Sequence, residues 1–357
     1  MRIVELFAGI GACSRALERL GIPIEIVDAV EIDKYAMKSF NAIHGTNFET
    51  QDILEWNKDY KDIDLITHGS PCQDFSLAGL QAGGDIGSGT RSSLMYETVR
   101  IVGKIRPKYV LWENVKNILS VKHKHNFDNY INTMEALGYK SYYQVLNAKD
   151  YGIPQNRERV FTISIRNDIN ISFEFPQKQE LKLKLKDMLE DEVDEKYYLA
   201  KHLQNSYNER TGKIEGIKFN CRNKINDVNG IVETLCAAMG EGGNTQPKII
   251  DKTICLNSKG GRNGIEGLQP SLKDRIYDSS GLATCIATSN FFMPNYTEGL
   301  RIRKLTPKEC WRLMGFDDKD FEKASKVNSA SQLYKQAGNS IVVNLLERIF
   351  ENLLLDD

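Results

Sequence analysis

The sequence predicts a doubly wound α/β domain carrying a smaller, mostly β domain inserted before its last helix. In roughly the first 176 residues, short apolar runs alternate with helical patterns, and several runs end on a glycine or an acid. From Gln177 that alternation stops. Near the end, Ile341, Val342, Leu345, Leu346, Ile349, Phe350 and Leu353 fall at helical spacing, an apolar stripe suited to the large domain. A chain of 357 residues is long enough for such a pair. We place the large domain at 1–176 plus 325–357 and the smaller one at 177–324.

Ile3 to Leu6 reads as a first strand. Phe7-Ala8-Gly9-Ile10-Gly11-Ala12 follows as a tight turn, then Ser14 to Leu20 forms a helix closed by Gly21. Glycines there let the backbone approach a ligand, and the helix start favours polar or negative ligand groups. The second strand, Ile24 to Ile32, carries Glu31 near its end, where a carboxylate can accept the hydroxyls of a ribose. Asp52-Ile53 marks a third such edge. Glycine, acid and acid at successive strand ends predict an adenosine pocket.

Composition is that of an ordinary globular protein, and no apolar window is long enough for a membrane span. The first residues lack the apolar core of a signal peptide, so a cytoplasmic protein is expected. Seven cysteines without a Cys-x-x-Cys pair or a His cluster indicate neither a disulfide framework nor a zinc or other metal site. The net charge of -1 speaks mildly against a nucleic-acid partner. It averages over basic clusters, however, one of them Arg301, Arg303, Lys304, Lys308 and Arg312.

Ile63 to His68 is a buried strand that runs into Gly69-Ser70-Pro71-Cys72-Gln73-Asp74-Phe75-Ser76. A free cysteine is ordinarily a small buried hydrophobe. This one sits at a carboxyl strand edge behind a rigid proline, which suits a nucleophile. The glycine-rich 79–90 stretch after it suits a closing loop. Ser92 to Ile105 reads as a helix. Tyr109 to Trp112 returns to the sheet and ends in Glu113-Asn114-Val115, a carboxylate that is expensive to bury unless paired or functional. Arg157 and Arg159 in Gln155-Asn156-Arg157-Glu158-Arg159 are expected on one strand face, as a salt bridge or an anion clamp.

These stretches, with Arg303-Lys304-Leu305-Thr306-Pro307-Lys308-Glu309 and Gln336-Ala337-Gly338-Asn339-Ser340, resemble in their order the DNA (cytosine-5) methyltransferases of bacteria and phages. The resemblance covers about the first 165 and last 55 residues; Ala12 departs from it, since many members carry glycine there. It implies a Rossmann-like S-adenosylmethionine-dependent fold with a target-recognition domain, and base flipping in double-stranded DNA. Cys72 would be the nucleophile toward cytosine carbon 6, Glu113 the acid at ring nitrogen 3, and Arg157 and Arg159 the groups that hold the base. S-adenosylmethionine would contact Phe7, Ala8, Gly9, Ile10, Gly11, Glu31, Ile32, Asp52, Ile53, Pro71, Leu94, Asn339, Ser340 and Ile341. Ser76 and Arg91 would face DNA. A monomer is expected, and a companion restriction endonuclease is a partner the chain could have. Methylation of RNA and a nicotinamide-dependent oxidoreductase are the alternative functions; the second leaves Cys72 and the arginines without work.

In the middle, Ile225–Leu235 and Ile276–Ile286 form a weak internal repeat, each copy read as a turn joining short strands. Thr306-Pro307-Lys308-Glu309 is a capped helix start with a structural role. Asn339-Ser340 is read as the opening of the last helix.

Overall fold

The computed structural model describes residues 1–71, 91–199, 225–240, 245–250, 254–255, 276–278, 295–296 and 302–355, with backbone alone at 91, 225, 250, 254–255, 276–278 and 295–296. The chain divides into two compact units, one of Met1–Leu183, Glu233–Gly242 and Cys310–Asp357, the other of Lys184–Val232 and Gly243–Glu309.

The first unit is built on a six-stranded sheet. Its elements in chain order are β1 (Arg2–Leu6), α1 (Ala12–Arg19), β2 (Glu25–Val30), α2 (Lys34–His44), β3 (Leu65–His68), α3 (Met95–Ile105), β4 (Tyr109–Val115), α4 (Lys124–Ala136), β5 (Tyr139–Asn147), the short β6 (Gln155–Asn156) and β7 (Glu158–Arg166). The sheet order is β2-β1-β3-β4-β7-β5. The pairs among β1 to β4 are parallel, and β7 runs antiparallel between β4 and β5. The chain leaves β1 to one side for β2 and returns on the other side as β3. That reversal opens a crevice at the carboxyl ends of β1 and β3, where sheets of this kind bind ligands.

Apolar runs such as Leu65-Ile66 and Val110-Leu111-Trp112 are fully buried because helices cover the sheet. Val4, Leu6, Ile66, Val110 and Trp112 pack with Ile101 and Val102 of α3 and Phe127 and Tyr130 of α4 in one core. Asp28, itself buried, accepts from Gln51 Nε2 (2.7 Å), Trp56 Nε1 (2.8 Å) and Lys58 Nζ (2.8 Å). This buried carboxylate holds the 51–58 stretch on β2, and so sets where Asp52 stands.

Four helices end the chain: α5 (Pro307–Arg312), α6 (Asp318–Ser325), α7 (Ala330–Asn339) and α8 (Val343–Leu354). The return to the large unit comes earlier than the expected residue 325. Trp311 donates to the Leu333 carbonyl at 2.9 Å, and Gln155 Nε2 donates to the Leu313 carbonyl at 2.8 Å, so Cys310–Ser325 packs with the sheet unit. Glu233–Gly242 also belongs to that unit, because Leu235 donates its N–H to Gln155 Oε1 at 3.1 Å. The apolar stripe is the buried face of α8, with Leu345, Leu346, Ile349, Phe350 and Leu353. Its helix does not open at Asn339: α7 ends there, Ser340 and Val342 are extended, and α8 starts at Val343.

In the second unit, Lys248–Ile250 pairs antiparallel with Ile302–Lys304 and parallel with Ile225–Asn226. The first repeat copy makes its turn between the short strands Ile225–Asn226 and Val232–Glu233, with Gly230 N–H on the Asp227 carbonyl at 3.0 Å. Most of the second copy lies outside the described residues. The predicted helix start is present: Glu309 accepts from Thr306 N–H at 2.7 Å and Thr306 Oγ1 from Glu309 N–H at 3.2 Å. Arg303 is no surface charge. It is buried and gives Glu309 two bonds of 2.8 Å, and Arg312 likewise pairs with Asp318, which removes two members of the expected basic cluster.

Candidate active site

The cleft at the carboxyl ends of β1 and β3 is lined by Phe7 to Ile10, Ala12, Gly69, Glu113 and Asn339 to Ile341, with Glu5, Cys13, Thr67 and His68 on its floor. The turn after β1 is contorted: Phe7 (φ 53), Gly9 (φ 56) and Gly11 (φ 80) are all left-handed. Phe7 has a Cβ and adopts this region only at a cost, the kind of strain that gathers at ligand sites. The turn is tied to β2 by Ala8 N–H on the Val30 carbonyl (3.1 Å) and by Gly9 N–H on Glu31 Oε2 (2.9 Å). A Cβ at Gly9 would meet nothing within 4 Å, so the turn is open on that side. Ala12 is buried in the first turn of α1, and its methyl group is accommodated there.

Glu31 and its neighbours form the second wall. Its carboxylate accepts Asp33 N–H at 2.8 Å as well as Gly9 N–H, and burial raises its pKa. Beside it, Ile32 is 70% exposed, an apolar side chain standing in solvent at a strand end. Asp52 caps a turn through Leu54 N–H at 2.9 Å. Ile53 is different: its side chain is buried in the core, so what it offers a ligand is backbone.

Glu113 stands at the end of β4, beside the β3 end that leads to the cysteine loop. In the antiparallel pair Arg159 lies opposite Val115, which makes it the diagonal neighbour of Glu113. Its Nε is 3.0 Å from Glu113 Oε1, while Oε2 faces Gly69. The segment before the cysteine is also fixed: Ser70 is buried, its hydroxyl accepts Trp112 Nε1 at 3.1 Å, and Asn114 Nδ2 approaches its carbonyl at 3.4 Å. Asn114 thus anchors the loop two residues before the cysteine, a role that sequence reading missed. Pro71 is half-buried. Cys72 and Ser76 lie outside the described residues, as does the side chain of Arg91. Leu94 is half-buried and packs on the core at the start of α3.

The two arginines are held differently. Arg157 falls between β6 and β7, where strand alternation is broken, and it is buried. Its guanidinium donates to the carbonyls of Leu235 (2.9 Å), Ser340 (2.8 Å) and Gly338 (3.3 Å). Arg157 thus holds Ser340 at the cleft edge, and Arg159 is the one of the two that reaches Glu113. Gly338 is required for the same seam, since a Cβ there would overlap the backbone of Cys236 and Ala237.

Glu5, Cys13 and Thr67 were not anticipated. Glu5 is buried and accepts Ser14 N–H at 3.0 Å, and burial raises its pKa. The signal was available, since a charged residue inside an apolar strand calls for the reasoning that singled out Glu113. Burial, reinforced by the Glu5 charge, also pushes the Cys13 thiol up, which keeps it protonated and inert.

His68 sits one residue before Gly69, stacked on Trp112 at 5.7 Å, with Nε2 3.0 Å from the Tyr130 hydroxyl. Burial lowers its pKa from 6.5 to about 3. The neutral ring is the folded form, so below pH 6.5 the unfolded chain takes up a proton that the folded chain refuses. Stability is unaffected above that pH and falls as pH drops toward 3, by about 2 kcal/mol at pH 5. His68→Gln should remove this component: the wild-type minus variant difference in urea-unfolding free energy should shift by that amount between pH 7 and pH 5. A pH-independent difference would contradict it.

An α/β sheet with a glycine turn, a strand-end acid and an exposed apolar residue at its switch point defines an enzyme that uses a nucleotide-like cofactor. The comparisons give the family. The model of the C-5 cytosine-specific DNA methylases matches residues 1–355. The type II methyltransferase M2.ScrFI of Lactococcus lactis subsp. cremoris is 34% identical over 99% of this chain and 99% of its own. The type II methyltransferase M.HhaI of Haemophilus parahaemolyticus is also 34% identical, over 99% of this chain and 94% of its own. The orphan methyltransferase M.SPBetaI of Bacillus phage SPbeta is 33% identical, over 99% and 97%. Among solved structures, the Entamoeba histolytica methyltransferase EhMeth has a TM-score of 0.67 at 17% identity, covering 100% of this chain and 98% of its own. The S. pombe Dnmt2 methyltransferase has 0.63 at 20%, covering 100% of both chains; both likenesses concern the fold. The chain belongs to the C-5 cytosine-specific DNA methylase family and is a DNA (cytosine-5) methyltransferase. Among the described residues no helix is long and apolar enough to cross a membrane.

Proposed function

We propose that this enzyme uses S-adenosylmethionine to methylate carbon 5 of a flipped cytosine within a specific sequence of double-stranded DNA, with Cys72, Glu113 and Arg159 as its catalytic residues. The observation that carries the reading is the Glu113–Arg159 pair at 3.0 Å on the cleft that holds the glycine turn. The residues present fit the cofactor. The open side of Gly9 admits a ligand against the backbone, Glu31 can take the ribose, exposed Ile32 can cover a purine face, and Asn339 to Ile341 close the far edge. When bound, S-adenosylmethionine supplies an electrophilic methyl group on a sulfonium.

Cytosine carbon 5 is too weak a nucleophile to take that methyl unaided. The Cys72 thiolate adds to carbon 6, and the electron pair displaced from the 5,6 double bond would leave negative charge on the ring. Glu113, as a carboxylic acid, neutralises it by protonating nitrogen 3. Arg159, on the other side of Glu113, holds the base carbonyl and keeps the acid in register. After methyl transfer, loss of the carbon 5 proton to water expels the thiolate, and nitrogen 3 returns its proton to the Glu113 carboxylate, which restores the ring and the acid. Ser76 and Arg91 face the DNA, the protein acts as a cytoplasmic monomer, and a companion endonuclease is the partner suggested by its type II relatives' names. The family match favours DNA over RNA and leaves the nicotinamide alternative without support.

The test is incubation with labelled S-adenosylmethionine and unmethylated genomic DNA, followed by base-resolution sequencing. The expected result is 5-methylcytosine at one short recurring sequence. Label transferred to RNA alone, or none from a folded protein that binds cofactor, would reject the proposal.

A further inference from the structure

Three left-handed residues in five positions persist only where the surroundings over-determine the backbone. Glu31 and the Val30 carbonyl hold Gly9 and Ala8. Gly11, the N-cap of α1, has φ 80 and ψ 41 and no side-chain cap. What lies against Gly11 is the imidazole of His44, the last residue of α2. A Cβ at Gly11 would overlap Nε2, stand 2.8 Å from Cδ2 and 2.9 Å from Phe40 Cε2. Gly11 is thus explained by a protein side chain, in contrast to the open side of Gly9.

The ring is tightly held. Its side chain is 0% exposed, Nδ1 is 3.1 Å from Glu18 Oε1, and its centroid is 4.7 Å from that of Phe40. Nε2 is buried with no hydrogen-bond partner among the described residues. An unpartnered buried nitrogen is a cost that a leucine or phenylalanine would avoid, so filling space does not account for histidine here. Its donor at Nδ1 does, because the bond to Glu18 fixes the ring's tilt and turns the Nε2 edge onto Gly11. This assigns the proton to Nδ1.

We propose that His44 is a positioning residue for cofactor binding: pinned by Glu18, its imidazole edge sets the left-handed start of α1 and thereby the backbone on either side of Gly11, where Gly9, Ile10 and Ala12 line the cleft. The proposal rests on the reading that this cleft takes S-adenosylmethionine. Titration calorimetry with S-adenosylhomocysteine on the full chain tests both separately. If the wild type does not bind, the cofactor reading fails and takes the proposal with it. If the wild type binds, His44→Ala should weaken binding by about tenfold, raise KM for S-adenosylmethionine more than it lowers kcat, and leave duplex DNA affinity unchanged. Gly11→Ala should weaken binding at least as much, and adding His44→Ala to it should restore part of the loss, because the new methyl then has room. Should His44→Ala fail to fold, His44→Leu keeps the volume without the tether and should show the same KM shift. Wild-type affinity in a folded His44 variant, or strictly additive losses in the double variant, would overturn the proposal.

Discussion

Cys72→Ala should abolish methyl transfer, by on the order of 10⁴-fold or more, while S-adenosylhomocysteine binds within about twofold of wild type. The asymmetry follows from where the two functions reside. The walls proposed for the cofactor are the Phe7–Ile10 turn, Glu31 and the Asn339–Ile341 edge, none of which needs the thiol. Transfer needs it, because without addition at carbon 6 the ring has no enamine to present. Generating the thiolate at neutral pH from a thiol of ordinary acidity costs only about 2 kcal/mol, so the nucleophile requires placement more than activation. The chain that leads to it is anchored, with Ser70 buried and bonded by Trp112 and Asn114. Cys13 cannot substitute, since burial holds its thiol protonated. Duplex DNA bearing 5-fluorocytosine separates the outcomes: fluorine cannot leave as a proton does, so the wild type should be trapped as a covalent complex that survives denaturing electrophoresis, and Cys72→Ala should not. A trapped complex or more than about a tenth of wild-type turnover in the variant would remove Cys72 from the mechanism.

The sheet was legible because a strand buried on both faces leaves an unmistakable apolar run, and because the functional groups hang on the ends of those runs. Glu113 could be picked out by the expense of an acid beside an apolar strand, and Glu31 by its place at a strand end where a ribose would sit. Arg157 could not be separated from Arg159 in this way. Alternation holds only while the strand continues, and the break at Arg157 arises from long-range partners, Leu235, Gly338 and Ser340, that no local window contains. Ile53 misleads for a related reason, since its side chain goes to the core while its neighbour Asp52 caps a turn. The early return of the chain at Cys310 was hidden because Thr306-Pro307-Lys308-Glu309 announces a helix without announcing which unit the helix joins. The internal repeat marks the turn at Asp227–Gly230 but not the partner of the strand before it, Lys248–Ile249, because strand partners are chosen by tertiary packing.

Glu113→Gln should lower kcat by about 10²- to 10⁴-fold with little change in the KM for DNA, the range in which loss of a positioned proton donor falls. Glutamine keeps the volume and still offers a hydrogen bond, so the flipped base can be held, but it has no proton to yield to nitrogen 3 as the thiolate adds. The covalent step and the acid are thus coupled: with 5-fluorocytosine the variant should form the same adduct as wild type, only more slowly, whereas Cys72→Ala forms none. The substitution also takes the carboxyl partner from Arg159, an effect on stability that urea unfolding reads separately from the kinetic defect. Wild-type kcat in Glu113→Gln would mean that the ring charge is met by another group. An unchanged rate of adduct formation beside a lowered kcat would place the acid's role after addition instead of during it.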